Sequence, residues 1–396
     1  MKKSLFAIAV TGAFVSTAQA QSTVTLYGVV DAGITYTSNV KGSAQYAMTS
    51  SNQSGSRWGL TGAEDLGGNL KAIFTLENGF STNTGALGQN GTEFGRQVFV
   101  GLRSSSYGTA TLGRQYGASY TTLTGLLSLT SGGDWAAAGA GYGTHPADVD
   151  NLDSSNRINN AIKYQSPNFG GFTFAGLYSL GGKAGSVSQN GIVDLAGAYV
   201  NGSIKLGVGY LFAKDPNFSF WGDKANDSTT GSNISNVIIS GYASAGSQQI
   251  ITAGGGYTFG PATVNLTYSN VQFGNLGSVA GVTTGAAAKY SGSVSLNTGE
   301  LNVKFQVSPT LVLGTSYSYT KDGGADGNGG AKYQTVDAGA IYSLSKRTSI
   351  YAVAVYQKAS GTNSLGANAV ADIVGTSGAS GTNHQIVATA GLTQRF

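Results

Sequence analysis

Acidic side chains are scarce in this sequence, and four of them lie in one long segment, residues 116–156. These four are Asp134, Asp148, Asp150 and Asp153. Arg114 and Arg157 flank the segment on its two sides. A connection of this length without secondary structure of its own is uncommon inside a domain and usually has a function. Carboxylates that face arginines across water create an electric field, which sorts passing solutes by charge.

The residue types that catalysis needs are nearly absent. The chain has no cysteine, and His145 and His384 lie in or beside predicted loops, without a second histidine at the spacing of metal ligands. We interpret both histidines as solvent-exposed. No G-x-S-x-G motif or catalytic triad can be assigned, and the glycine-rich residues 139–143 lack the Lys-Ser/Thr of a phosphate-binding loop. We predict a protein that is not an enzyme and has no metal or other cofactor.

The N-terminus predicts a secretory signal peptide over residues 1–20. Lys2 and Lys3 precede an apolar run, and a small-x-small cleavage site ends at Ala20. In residues 21–396 no apolar run reaches the roughly 18 residues of a transmembrane helix. Only 10% of the chain is charged and 62 residues are Gly, whereas soluble domains contain about 25% charged residues. An exported, charge-poor chain favours β-structure at a membrane, and its net charge of +4 is too small to indicate nucleic-acid binding.

Apolar and polar residues alternate with period two along most of the chain. In residues 23–36 one face is mainly apolar, whereas the other carries mostly small or polar side chains. Segments of about ten residues, the length of a tilted membrane strand, repeat this pattern. Their second faces carry isolated charges, such as Asp31 and Glu77, among Thr, Ser, Asn and Gly. This mixture suits a wide, water-filled interior rather than the surface of a soluble sheet.

Short and long connections alternate between these segments. Short turns are predicted at residues 64–68, 104–108, 166–171, 201–202, 260–261, 308–310 and 345–347. Longer polar stretches lie at residues 37–55, 81–91, 116–156, 181–191, 214–246, 273–299, 321–332 and 358–382. This alternation is typical of outer-membrane barrels. With about sixteen strands, a number that leaves an aqueous channel, the sequence predicts an all-β fold, a 16-stranded antiparallel transmembrane β-barrel.

Two segments depart from regular alternation. Strict alternation places Arg96 on the apolar face of Val98 and Val100. Either a β-bulge intervenes there, or the inward face packs on another segment. Residues 349–355 are apolar on both faces, which indicates the same kind of packing or a contact between subunits.

Six stretches carry a combined signature: QSTVTLYGVVDAGITY after the signal peptide, SRWGLTGAEDLGGNLKAIFTLENGF at 56–80, FGRQVFVGL at 94–102, YGTATLGRQYG at 107–117, NAIKYQSPNFGGFTFAGLYS at 160–179 and the closing GLTQRF. Together they resemble the general-diffusion porins of β-proteobacteria. The resemblance covers essentially all of residues 21–396. It implies a trimeric barrel whose third long loop, about residues 116–156, folds inward and narrows the pore.

The resemblance also implies a basic wall, formed by arginines from several strands, that faces the inward loop. The matching positions are Arg57, Arg96 and Arg157, and the match at Arg96 favours the β-bulge. Arg114 and Lys71 are weaker additions. The loop itself differs from its relatives, because residues 132–143 are rich in Gly, Ala and Ser. Candidates for its acidic side are Asp134, Asp148, Asp150 and Asp153, whereas Asp31 and Glu77 on the barrel could pair with the arginines.

These observations predict a porin of the bacterial outer membrane that lets small hydrophilic solutes and ions diffuse passively. Three arginines favour a mild preference for anions, although four loop carboxylates could cancel it. The expected partners are two further copies in a homotrimer, outer-membrane lipid, and the assembly machinery, which would read the terminal Phe396; no nucleic acid is expected. The alternatives are a substrate-specific channel and a barrel that displays adhesive surface loops.

Overall fold

The described residues belong mainly to one antiparallel β-sheet. The computed structural model describes residues 22–127, 143–153, 155–223, 231–280, 282 and 290–396. The predicted signal peptide and Asp134 lie outside them. Within these ranges no helix is both long enough and apolar enough to cross a membrane.

The sheet contains seventeen strands in sequence order. They are β1 (Thr23–Val40), β2 (Ser43–Ser50), β3 (Arg57–Gly67), β4 (Leu70–Gly79), β5 (Gln97–Ser104), β6 (Gly108–Gln115), β7 (Ile158–Gln165), β8 (Phe172–Ser179), β9 (Ile192–Asn201), β10 (Ile204–Lys214), β11 (Ser247–Phe259), β12 (Ala262–Leu276), β13 (Gly292–Gln306), β14 (Leu311–Asp322), β15 (Ala331–Ser343), β16 (Thr348–Gly361) and β17 (His384–Arg395). The described parts of the long loops contain two α-helices, α1 (Ala118–Leu127) and α2 (Pro216–Ser219).

The sheet closes into a barrel, because β1 pairs with β17. Next to this closure, Gly28 and Phe396 exchange two backbone hydrogen bonds of 3.0 Å. β3 pairs with the first half of β1 and β2 with its second half, so β2 and β3 form one barrel strand that is interrupted at residues 51–56. Counting this pair once reduces seventeen strands to sixteen, which confirms the predicted barrel. A closed barrel leaves no sheet edge unpaired.

Outward and inward side chains alternate along the strands as predicted. On β12, Leu266 and Tyr268 are 64% and 49% exposed, whereas Asn265, Thr267 and Ser269 between them are at most 1% exposed. An exposed apolar outer face of this kind is typical of a barrel in a membrane. Polar side chains therefore face the interior.

All the predicted short turns coincide with connections at one rim, but the long loop predicted at residues 37–55 is wrong. There β1 continues to Val40, turns through Lys41 and Gly42, and pairs with β2. The outward face of β2 is formed by Ala44, Tyr46 and Met48, with Tyr46 and Met48 79% and 63% exposed. This alternation spans a strand of only eight residues and stops at the interruption, which makes it a weak signal in the sequence. The segment 116–157 is still the third long connection, after those that join β1 to β3 and β4 to β5.

The irregularity predicted at Arg96 lies at the start of β5. From Glu77 opposite Gln97 to Leu70 opposite Ser104 the pairing of β4 with β5 is regular. The Arg96 N–H also donates to Glu77 O at 3.3 Å, so two consecutive residues face Glu77, as in a β-bulge.

Long loops pack apolar side chains inside the barrel. Between β10 and β11, Phe220, Trp221 and Tyr242 are buried in a cluster with residues of the barrel. Between β16 and β17, Ile373 packs on Tyr351, Val353 and Val355 of β16. The inward face of residues 349–355 is therefore apolar because it packs on another segment, which was one of the two predicted explanations.

Asp31 on β1 holds the interruption between β2 and β3 inside the barrel. Its carboxylate accepts hydrogen bonds from the backbone N–H groups of Asn52, Gln53 and Ser54, at 2.7, 3.4 and 3.3 Å. The hydroxyl group of Tyr351 donates another at 3.0 Å. Asp31 thus binds backbone and hydroxyl donors and not the arginines that were predicted as its partners. The turn that it holds leads directly into β3.

Replacing Asp31 with Asn is expected to destabilise the barrel by about 2 kcal/mol, because hydrogen bonds to a charged acceptor contribute about 1.5–3 kcal/mol. The side-chain NH₂ group of Asn would also face these backbone N–H groups, and two hydrogen-bond donors cannot pair with each other. Urea unfolding in lipid vesicles measures the change. Asp65→Asn is the control, since the exposed Asp65 caps only the nearby Gly67 N–H; equal effects of the two substitutions would contradict the role of Asp31.

Candidate functional site

An open cavity of about 840 Å³ lies inside the barrel beside β1–β4. Its charged lining residues are Arg57, Glu77, Arg96, Asp153 and Arg157, together with the phenols of Tyr116 and Tyr120. Three of the five arginine and lysine candidates from the sequence therefore meet in one place. Among the described residues, no group of three or more His, Asp or Glu side chains could hold a metal ion.

Glu77 on β4 binds two of these arginines. Its Oε1 atom lies 2.9 Å from Arg96 Nε, and its Oε2 atom lies 3.5 Å from Arg57 Nε. The Tyr27 hydroxyl group donates to the same carboxylate at 3.0 Å. Gly55 leaves room for this group, because a Cβ atom there would lie 2.7 Å from Arg96 Nη1 and would displace the guanidinium group. The pairing predicted for Glu77 is confirmed.

Tyr116, the first residue after β6, joins Arg96 to Arg157. Arg96 Nη2 and Arg157 Nη2 donate to its hydroxyl oxygen at 2.6 and 3.3 Å. The two guanidinium carbons lie 5.9 and 5.0 Å from its ring centre, and the ring of Tyr120 stacks on it at 5.0 Å. Burial alone would raise the pKa of Tyr116, but the two positive charges lower it. The phenol thus holds two arginines close together in spite of their repulsion.

Helix α1 continues from Tyr116 along the inward faces of β9 and β10. Asp194 on β9 accepts a hydrogen bond of 3.0 Å from the Ser119 N–H at the start of the helix. Lys163 on β7 donates to the Tyr116 carbonyl oxygen at 3.1 Å. Gly209 on β10 allows the close approach, because a side chain there would meet Ser119 and Leu123 at about 3 Å.

Residues 143–153 contact the inward faces of β11–β14, across the barrel from β6 and β7. The Thr144 hydroxyl group donates to Glu300 on β13 at 3.0 Å, and the Ser318 hydroxyl group on β14 donates to the Thr144 carbonyl at 2.9 Å. Gln248 on β11 donates to the Val149 carbonyl at 3.0 Å. This part of the connection is therefore bound to the opposite side of the barrel.

His145 is the centre of these contacts and is only 2% exposed, so its interpretation as solvent-exposed is wrong. Its Nδ1 atom lies 2.7 Å from Asp150 Oδ2, and its Nε2 atom lies 3.0 Å from Glu300 Oε2. We call His145, Asp150 and Glu300 the histidine cluster. Burial alone would lower the pKa of His145, but the two carboxylates raise it well above its ordinary value. Burial alone would raise the pKa of Asp150, but His145 lowers it.

The described loop carboxylates lie in different surroundings, and Asp148 and Asp150 do not line the cavity. Asp148 is buried and accepts hydrogen bonds from the N–H groups of Asp153 and Ser155 at 2.9 and 2.7 Å; burial raises its pKa to about 7. Asp150 belongs to the histidine cluster, and Asp134 lies outside the described residues. Asp153 lines the cavity and is the one described loop carboxylate that does so.

Two basic candidates do not line the cavity. Arg114 is buried beside it and donates to Gly95 O at 2.8 Å and to Asn159 Oδ1 at 2.6 Å. Lys71 is exposed on β4, six residues from Glu77, about 20 Å along the strand. His384, unlike His145, is exposed as predicted. No role was predicted from the sequence for Tyr116 or Glu300. Glu300 could have been found, because it is an isolated carboxylate on a predicted inward face.

Comparisons with known proteins agree with this architecture. The family model described as Gram-negative porin matches residues 5–362. An outer membrane porin protein of Bordetella pertussis is 30% identical over 400 residues, which cover 90% of this chain and 94% of the relative. Outer membrane porin protein 32 of Delftia acidovorans is 30% identical over 378 residues, 93% of each chain.

Solved structures show the same fold. An anion-selective porin from Comamonas acidovorans matches with a TM-score of 0.69 and 23% identity, over 95% of this chain and 100% of that chain. The trimer form of OmpT from Vibrio cholerae matches with a TM-score of 0.63 and 15% identity, over 95% and 99%. Porins are channels and not enzymes. The chain belongs to the Gram-negative porin family and is an outer-membrane channel for the diffusion of small hydrophilic solutes and ions.

Proposed function

We propose that the cavity beside β1–β4 is the constriction of the channel and that it gives the channel a mild preference for anions. The observation that carries this proposal is the distribution of charge. Three arginines and two carboxylates line the cavity, which leaves a formal excess of one positive charge. Arg57 and Arg96 share Glu77, and Arg157 lines the same cavity, where it donates to the Tyr116 hydroxyl oxygen.

The opposite side of the barrel supports an anion preference because its carboxylates are buried. Asp194, Glu300, Asp322 and Asp337 all face inward and are at most 1% exposed. Glu300 binds residues 144 and 145, and Asp322 accepts from Tyr242 of the loop between β10 and β11. A carboxylate that is covered by a loop is removed from contact with permeating ions. Residues 116–157 would thus fold inward, cover part of the acidic side and leave the passage next to the arginines.

The double variant Arg57→Gln, Arg157→Gln should shift the ratio of anion to cation permeability towards cations by about fivefold or more. It leaves one arginine against two carboxylates, and a unit charge about 4 Å from an ion in water contributes about 1 kcal/mol. Reversal potentials of purified channels in a salt gradient give this ratio. Lys71→Gln, which removes an inward charge about 20 Å away, is the matched control. An unchanged ratio in the double variant would rule out the cavity as the selective site.

The same recordings test the rival function. A substrate-specific channel would show conductance that one solute blocks at low concentration, whereas a diffusion channel would not. A barrel that served only to display loops would show no large stepwise conductance.

The histidine cluster should make the loop position dependent on pH. The pKa of His145 is raised in the folded protein, so its stabilising effect is complete below about 6.5 and is lost as pH rises through the raised value. The pKa of Asp150 is lowered, so the stability that its charged form contributes is lost only as pH falls through that lowered pKa. The carboxylates that face the imidazole directly are Asp150 and Glu300, with Asp148 and Asp337 behind them.

Current noise in single-channel recordings is therefore expected to rise in alkaline solution, as the loop loses its ion pairs. The variant His145→Asn should be noisy already at neutral pH and should lose the alkaline increase. His384→Asn replaces the other, exposed histidine and should behave as the wild type. If His145→Asn followed the wild-type pH curve, the cluster would not hold the loop.

We further infer a homotrimer that is assembled in outer-membrane lipid after removal of residues 1–20. A trimer form exists for the Vibrio cholerae protein of the same fold. An outer depression of about 560 Å³ suits subunit contact here, since small residues line it beside Ile34, Tyr36 and Tyr46; they are Ala338, Ala352, Ala354, Ala388 and Ala390. Phe396 lies on the outer face, 48% exposed, where assembly machinery could bind it. Phe396→Ala should reduce the amount of unheated trimer on gels of outer membranes; a wild-type protein that migrated as a monomer would contradict the trimer.

A further inference from the structure

A stack of planar side chains ends inside the cavity beside β1–β4. The Arg157 guanidinium carbon lies 5.0 Å from the ring centre of Tyr116, and the ring of Tyr120 stacks on Tyr116 with an interplanar angle of 27°. We call Arg157, Tyr116 and Tyr120 the cavity stack. Among the described residues, no further ring or guanidinium group stacks on Tyr120. Tyr120 is half-buried and lines the cavity, so the last ring of the stack borders the passage.

A second aromatic ring, that of Phe80, lines the same cavity close to Arg57. In the pairing of β3 with β4, Arg57 lies opposite Gly79, and Phe80 is the next residue. The Phe80 N–H donates to Ser56 O at 3.1 Å, which fixes the backbone beside Arg57. Phe80 is half-buried, like Tyr120. Apolar surface combined with a few polar groups that converge on it is typical of a binding site for a small organic molecule.

Arg57 offers the most accessible cation of the cavity. Its side chain is 27% exposed, against 14% for that of Arg96, and Arg157 is buried. The Nε atom of Arg57 lies 3.5 Å from Glu77, and its Nη1 atom donates to Gly55 O at 2.7 Å. Among the described residues, no acceptor binds its Nη2 atom. This NH₂ group can therefore donate to a carboxylate in the passage.

Charge in the cavity favours a solute with a negative group. Three arginines and two carboxylates line it, which leaves a formal excess of one positive charge. Burial raises the pKa of Tyr120 to about 12, so its phenol stays neutral in neutral solution and does not repel an anion. Aromatic pairs attract each other by more than the apolar area that they bury. A solute with both a carboxylate and an aromatic ring therefore matches both features of the lining.

We propose that the cavity favours the passage of small aromatic carboxylates, with the carboxylate group on Arg57 and the ring on the aromatic lining that Tyr120 and Phe80 provide. This inference rests on the proposed function, because it assigns a class of solute to the same constriction. A small inorganic anion would match the charge but leave the rings in contact with water. An uncharged aromatic solute would match the rings but not the excess of positive charge.

Two matched solutes test the proposal on the wild-type channel. Benzoate and cyclohexanecarboxylate carry the same charge and the same number of carbon atoms, but the second has no aromatic ring. A weak site raises the local concentration of its solute in the passage and thereby its flux. Reversal potentials in planar bilayers, with one solute on each side, should show benzoate about fivefold more permeant, which is the size of one aromatic contact. Benzylammonium, an aromatic cation, should be less permeant than benzoate.

Substitutions by leucine separate the aromatic lining from the flat shape of benzoate, because leucine is apolar but has no ring. Tyr120→Leu and Phe80→Leu should each lower the permeability ratio of benzoate to cyclohexanecarboxylate, and the double variant should bring it close to unity. Phe99→Leu is the matched control and should keep the wild-type ratio. Phe99 alternates on β5 with the exposed Val100 and therefore faces the interior, but it does not line the cavity. Arg57→Gln should reduce the permeability of both carboxylates alike.

Three outcomes would overturn the proposal. Equal permeability of benzoate and cyclohexanecarboxylate in the wild type would exclude recognition of the ring. A wild-type ratio in the double leucine variant would assign the preference to the flat shape of benzoate alone. Benzylammonium as permeant as benzoate would exclude recognition of the carboxylate. Reversal potentials in a potassium chloride gradient, measured on the same channels, report the anion preference separately, so a failure of the solute preference is distinguishable from a failure of the proposed function.

Discussion

A closed ring of backbone hydrogen bonds is the constraint on which this structure depends. Inside a membrane no water is available to unpaired N–H and C=O groups, so a β-structure must pair every strand on both sides. The join of β1 to β17, completed by the exchange between Gly28 and Phe396, meets this requirement. Closure with sixteen strands encloses a wide interior. That interior must then be filled or lined in a way that leaves a passage.

Loops fill one side of the interior and leave the other open. The long connections after β6, β10 and β16 all bury side chains against inward faces of the barrel. They bring their own donors to the inward carboxylates, as Thr144 and His145 do for Glu300 and Tyr242 does for Asp322. A buried carboxylate without such partners would be costly. The same loops therefore fill part of the interior and cover inward carboxylates, which changes the charge that lines the passage.

On the open side, shared contacts hold positive charges together. Glu77 binds Arg57 and Arg96, and Tyr116 binds Arg96 and Arg157. The three guanidinium groups therefore form a continuous row, although each repels its neighbours. An arginine keeps its charge in such surroundings, because its pKa is far above neutral pH. Its planar shape allows it to bind a carboxylate and stack near a ring.

Strand positions were predictable from the sequence because outward and inward environments differ along every strand. The same reasoning missed β2, because its outward apolar residues Ala44, Tyr46 and Met48 form a strand of only eight residues. It identified Arg57, Arg96 and Arg157 through resemblance, but it assigned Asp148 and Asp150 to the wrong environment. Their partners come from Ser155 nearby and from His145 and the distant strand β12, with Ser269 donating to Asp150. Contacts between residues more than a hundred positions apart depend on the path of a loop, which leaves no periodic pattern in the chain.

Charge on the two faces of the barrel is compensated by different means. An inward carboxylate can be covered by a loop of the same chain, because the loops reach the interior. An outward lysine is not reached by the described parts of these loops. Lys321 and Lys332 are direct cross-strand partners, and Lys358 is diagonal to Lys332, so like charges lie close together there. The position of a charge in the barrel thus determines whether a loop of the same chain can compensate it.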